Sequence, residues 1–154
     1  MTDFLTVDAI INGILDAEDL TKQELGRRFA IYLGIQAGPR GKDEGVDGFG
    51  EFNGHKIYFQ SKLERSRFDA SRAAEFYGNL ILHHAKIGVM LAGVGYTEGF
   101  RTRLSKDSEL DQKFKIHLLS LFDIFAETSI FEAATLDLPG LQNLSKGNWK
   151  TLIP

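Results

Sequence analysis

The chain has 154 residues, 43% hydrophobic, 25% charged and 11% aromatic, with 12 Phe and no Cys. That is one domain's length with enough apolar side chains for a packed core, so disordered, collagen-like, disulfide-built and cysteine-zinc classes are excluded. A net charge of −3 argues against a protein held on nucleic acid by bulk positive charge.

The distribution of charge says more than its sum. Residues 1–39 carry 3 basic and 6 acidic groups, residues 40–106 carry 11 and 8, and residues 107–154 carry 4 and 7. The positive charge therefore sits in the middle of the chain. Apolar runs fall short of the ~18 residues of a membrane span. The first residues lack the basic-then-apolar order of a signal peptide, so a soluble cytoplasmic domain is expected.

Val7, Ile10, Ile11, Ile14 and Leu15 recur at helical spacing and predict a helix over 6–17. Thr21 to Glu24 has the form of a capping box opening a second helix, with Leu25, Phe29, Tyr32 and Leu33 as its apolar stripe and Gly34 after its end. Ile35 to Ala37 reads as a short strand, and Gly38 to Gly45 as a polar loop. Val46 to Phe52 and His55 to Leu63 flank Asn53-Gly54, the strongest short hairpin signal, a type I′ turn. A third helix is expected from about Ala70 to His84, a buried strand over Ile87 to Val94, and a Thr97-capped helix to about Lys106. Another strand, Lys115 to Leu119, and a helix from Leu121 to Ala133 follow, ended by Leu138-Pro139-Gly140. No repeat or linker divides the chain. The expectation is a single α/β domain over 1–154, with a core of about 21–133, a mixed central sheet and an irregular tail over 134–154.

Counting outward from a two-residue turn fixes a register: Phe52 with His55, Glu51 with Lys56, Phe49 with Tyr58, and Asp47 with Gln60. Because side chains alternate, Val46, Phe52, Ile57, Phe59 and Ser61 share the core face with Gly48 and Gly50. Asp47, Phe49, Glu51, Lys56, Tyr58, Gln60 and Lys62 share the other. Asp47 and Gln60 are then opposed, with Lys62 two residues along, unless a bulge at Gly48 or Gly50 shifts the count. A carboxylate, an amide oxygen and an ammonium on one patch suit a hard divalent cation such as magnesium, with the Ser61 carbonyl as a further ligand. The ammonium would orient water and counter charge developing on phosphate. The bland readings stand beside these: Asp47 as a solvated strand end, Gln60 and Lys62 as an exposed sheet face, Glu24 as the partner of Thr21 in the capping box. Tyr58 either contacts substrate or packs beneath a helix. Arg40, Lys42, Arg65, Arg67 and Arg72 flank the hairpin and suit phosphate positioning or plain solvation. The four His lack a metal-ligand spacing, and Gly93-Val94-Gly95 lacks the Walker lysine.

Gly45-Val46-Asp47-Gly48, the hairpin, and Phe59-Gln60-Ser61-Lys62 resemble the PD-(D/E)xK nuclease superfamily, in the Q-x-K form of its Mrr-like branch. Ala74-Glu75-Phe76-Tyr77-Gly78, Ile87-Gly88-Val89-Met90-Leu91, Tyr96-Thr97-Glu98-Gly99-Phe100 and Lys115-Ile116-His117-Leu118-Leu119 resemble the segments that follow in that family. The resemblance covers roughly 22–125. It implies a restriction-endonuclease-like three-layer α/β/α sandwich and a magnesium-dependent endonuclease, with manganese able to substitute, acting on DNA, with RNA as the lesser alternative. Asp47 and Gln60 would be metal ligands, Lys62 the catalytic lysine, and Glu24 a further ligand. A homodimer, or a partner protein supplying specificity, is the expected assembly. Val46 stands where the family has Pro, and Gln60 is neutral. These departures leave a second expectation, a nuclease-fold domain that binds nucleic acid without cutting it.

Overall fold

The computed structural model describes residues 3–38, 47–111 and 114–142. Among these, six helices and five strands form an α/β arrangement: α1 (Phe4–Leu15), α2 (Asp19–Tyr32), β1 (Gln36–Ala37), β2 (Gly48–Phe52), β3 (His55–Lys62), α3 (Ala70–Leu82), β4 (Ile87–Ala92), α4 (Glu98–Asp111), β5 (Lys115–Ser120), α5 (Leu121–Ala126) and α6 (Ser129–Thr135).

The strands form one mixed sheet in the order β1-β2-β3-β4-β5. The first three are antiparallel; β3, β4 and β5 are parallel. The hairpin turns on Asn53 and Gly54, both at positive φ (52° and 79°), as a type I′ turn requires. Its register is the one expected from Phe52↔His55 through Phe49↔Tyr58.

Alternation along the strands splits the core into two layers. Ile57 and Phe59 of β3, Ile87, Val89 and Leu91 of β4, and Leu119 of β5 pack with side chains from α1, α2, α5 and α6. Tyr58, Met90 and Ala92 point the other way, against Ala73, Phe76 and Leu80 of α3 and Phe100 and Leu104 of α4. Both parallel crossovers thus pass over one face. Every residue of β4 is buried, as expected for a strand covered on both sides.

Two of the expected helices differ in the structure. The second helix opens at Asp19, with Glu18 at the N-cap and no side-chain cap bond. Thr21 therefore lies inside the helix, and no capping box with Glu24 forms; an acid in the first turn favours the earlier start through the helix dipole. The expected helix over Leu121 to Ala133 is two helices. Glu127 takes positive φ (51°), and Thr128 starts α6 by accepting from Phe131 N–H at 3.4 Å. The Thr128 hydroxyl also donates to Asp123 Oδ1 at 2.7 Å, while Asp123 and Ser120 form a reciprocal capping box at the head of α5. This polar knot holds the break. No helix among the described residues is long and apolar enough to cross a membrane.

Candidate functional site

The site is built at the carboxyl end of β3, where Gln60-Ser61-Lys62 closes the strand. Asp47 stands just before β2. Its backbone N–H donates to Phe59 O at 3.0 Å, while Gly48 is the ladder partner of Phe59. Two residues of one strand thus address one residue of the other, the signature of a β-bulge. The expected opposition of Asp47 and Gln60 is therefore absent. The bulge turns the Asp47 side chain to the Ser61 side of the sheet, where its Oδ2 accepts from Ser61 N–H at 2.6 Å.

Helix α2 comes close at this point because residue 26 is Gly. A Cβ there would stand 2.2 Å from Ser61 Oγ and 3.9 Å from Asp47 Cγ. Two residues earlier, Glu24 pairs with Arg27 at 3.1 Å. Arg27 Nε donates to Gly38 O at 3.0 Å, and Gly38 N–H donates to Asp47 O at 2.8 Å. Glu24, Arg27, Gly38 and Asp47 are thereby linked in one chain of contacts on the α2 side.

Gln60 goes the other way. It is 2% exposed, and Tyr58 O–H donates to its Oε1 at 3.3 Å. Tyr58 itself is buried against Phe76 (ring centroids 5.8 Å) and stacked on His83 (5.5 Å). So Tyr58 packs beneath α3. The structure does not bring the Gln60 side chain to Asp47. Among the described residues, no three His, Cys, Asp or Glu side chains gather as a metal cage.

Lys62 pairs with Ala92 in the ladder and so shares the α3 side with Gln60. Its side chain is partly exposed, and its ammonium has no hydrogen bond or ion pair among the described residues. Gly93 closes tightly over the next residues: a Cβ there would lie 2.5 Å from Glu64 O.

The basic candidates separate. Arg65 is engaged by Asp16 and by Asn12 of α1, at 3.3 Å for the latter. Arg67 is exposed. Arg72 lies over the Phe68 ring, 5.3 Å from its centroid, and reaches Glu64 at 3.5 Å. Arg40 and Lys42 lie outside the described residues. Sequence reasoning missed Gly26, whose significance lies in the helix crossing it permits. It also missed Arg101, which follows Phe100 in α4.

No protein-family model, curated protein or solved structure matches this chain.

Proposed function

We propose that this chain is a metal-dependent nuclease of the restriction-endonuclease-like fold, hydrolysing phosphodiester bonds in DNA. The observation that carries the reading is the 2.6 Å bond from Ser61 N–H to the Asp47 carboxylate. It ties the one acid of the motif to the middle residue of Gln60-Ser61-Lys62. The order of helix, antiparallel strands, crossover helix and parallel strands supports the same reading.

The donors on the α2 side are oxygens: the Asp47 carboxylate and, two residues from Gly26, the Glu24 carboxylate. Magnesium is commonly held by one or two carboxylates, with water and substrate phosphate completing its shell, so this donor chemistry fits. Bound there, the metal would polarise the phosphoryl group and ease deprotonation of the attacking water. Asp47 would hold it and Glu24 would assist. Lys62 stands on the α3 side, across the end of β3 from Asp47, so in this reading its flexible ammonium would reach over the strand end to orient water and meet the charge that develops on phosphate. The Gln60 amide, committed to Tyr58, would brace the strand and contribute no ligand.

A second reading rests on that same burial. A neutral, sequestered Gln60 suits a domain that binds nucleic acid without cutting it. Calorimetry with magnesium and manganese separates the two. The nuclease reading expects a binding heat from the wild type that disappears in Asp47→Asn. No heat in either protein, with DNA still retained, establishes the second reading.

A further inference from the structure

Beyond Lys62, the loops after β3 and β4 run side by side. Phe68 and Tyr96 form an isolated parallel bridge between them. Phe68 N–H donates to Gly95 O at 3.1 Å, and Thr97 N–H donates to Phe68 O at 2.9 Å. The two rings meet edge to face at 5.7 Å, and both residues are buried. The Tyr96 hydroxyl reaches Met90 O at 2.9 Å and Leu119 O at 2.7 Å, anchoring the bridge to both β4 and β5. This is a rigid pair of aromatic platforms at the carboxyl end of the parallel strands.

Each platform carries an arginine. The Arg72 guanidinium lies over Phe68 at 5.3 Å, and the Arg101 guanidinium over Tyr96 at 5.4 Å. The Arg101 side chain is exposed, and its guanidinium has no hydrogen bond or ion pair among the described residues. Arg72 has one long contact to Glu64, 3.5 Å, and its Nη1 is buried with no partner. The Arg101 fork is therefore unspent, while on Arg72 the groups other than the buried Nη1 meet only the long Glu64 contact. A guanidinium resting on a ring is oriented in advance, so it surrenders less freedom when its planar fork meets phosphate. Lys62, on the same side of the sheet, adds a third cation. The acids around the pair are Glu64, which meets Arg72, Glu75 one turn along α3, Asp69, which accepts from Ser71 N–H and also interacts with the Arg72 charge, and Asp123, which acts on Tyr96.

We propose that Arg72 and Arg101, mounted on the Phe68–Tyr96 bridge, form a clamp for the phosphate backbone of the nucleic acid. The proposal rests on the nuclease reading only for the identity of its ligand. The clamp grips phosphates without reading bases, so it acts alike on different sequences.

The test is fluorescence anisotropy of a labelled oligonucleotide with the full chain, in EDTA so that no cleavage or metal binding enters. Salt is varied over about 50–200 mM. Arg101→Gln is expected to weaken binding several-fold on two unrelated sequences alike, and to lower the salt slope by about one. Arg72→Gln should do the same. Arg72→Lys, which keeps the charge, should retain the slope and lose affinity through the lost fork. Circular dichroism confirms that each variant is folded; Arg101→Gln, at an exposed site, carries the test if Arg72→Gln unfolds. Wild-type affinity and slope in Arg101→Gln overturn the clamp and leave the nuclease reading untouched. Absence of wild-type binding at low salt also overturns it, even if that protein cuts DNA. Loss of binding in the arginine variants of a protein that never cuts supports the clamp while the catalytic reading fails.

Discussion

The Asp47 carboxylate accepts a hydrogen bond from the backbone N–H of Ser61 at 2.6 Å. A bond between an ionised acceptor and a part-buried donor is worth about 1.5–3 kcal/mol net. Asp47→Ala should therefore lower unfolding free energy by about 2 kcal/mol, because the Ser61 N–H is left without that acceptor. Asp47→Asn keeps an oxygen in place and should lose less than half as much. Urea denaturation of the three proteins checks the order. Equal stability of wild type and Asp47→Ala would show that the contact carries nothing.

Gly26 sets how close α2 can approach. A methyl there meets Ser61 Oγ at 2.2 Å but Ser61 Cβ at an ordinary 3.5 Å. Gly26→Ala should cost about 1–3 kcal/mol through overpacking. Adding Ser61→Ala removes the offending atom, so the double variant should recover most of that loss. A double-mutant cycle measures the coupling; additive effects would mean the helix simply moves away.

Gln60 is sealed beside Tyr58, and a charge there has no water to meet it. Gln60→Glu, which puts a carboxylate at this buried place, should destabilise by about 2–4 kcal/mol at pH 7. Burial raises the introduced carboxyl's pKa above its unfolded value of ~4.3. The deficit should therefore be small near pH 4, grow as pH rises from the unfolded value toward the raised folded one, and level off above it. Thermal melts from pH 4 to 8 test this; a constant deficit would place Gln60 in contact with water.

Asp137 follows α6 and binds two groups of β5: His117 Nε2 at 2.7 Å and Lys115 Nζ at 3.4 Å. Burial alone would raise its carboxyl pKa, but these partners outweigh it and hold the pKa below 3.8. Because the folded value is depressed, the stabilisation is complete above the unfolded value and fades as pH falls through the folded one. Asp137→Asn should melt lower than wild type at pH 6, and the two curves should converge as pH falls below about 3.8. A gap that persists undiminished at low pH would contradict the linkage.

The hairpin was legible because Asn53-Gly54 admits one tight turn, after which register follows by counting. Alternation likewise placed the Ile57 and Phe59 face of β3 in the core, and a continuous apolar run placed β4, but the burial of Tyr58 and Gln60 in a second layer was not legible because that face reads as polar. Counting failed at Asp47, one residue before the ladder begins, because a bulge carries no sequence mark beyond the nearby glycines. It therefore sent the carboxylate to the wrong side of the sheet. The break at Glu127 was hidden because apolar residues resume at Ile130 and Phe131 after only three polar ones, and the Ser120–Asp123–Thr128 knot acts only once three side chains meet. Arg72 was visible as a basic residue beside the motif. Arg101 was not, since its place depends on Phe68 and Tyr96, 28 positions apart, lying in one bridge.

In the proposed nuclease, Asp47 and Lys62 serve one phosphodiester from the two sides of the β3 end. Supercoiled plasmid and a single-stranded oligonucleotide, incubated with magnesium or manganese and wild type, Asp47→Ala or Lys62→Ala, show whether both are needed. Cutting by wild type that stops in EDTA, and falls at least about 100-fold in each folded variant, is the predicted result. Equal cutting by all three proteins, or none by wild type with either metal, would contradict it.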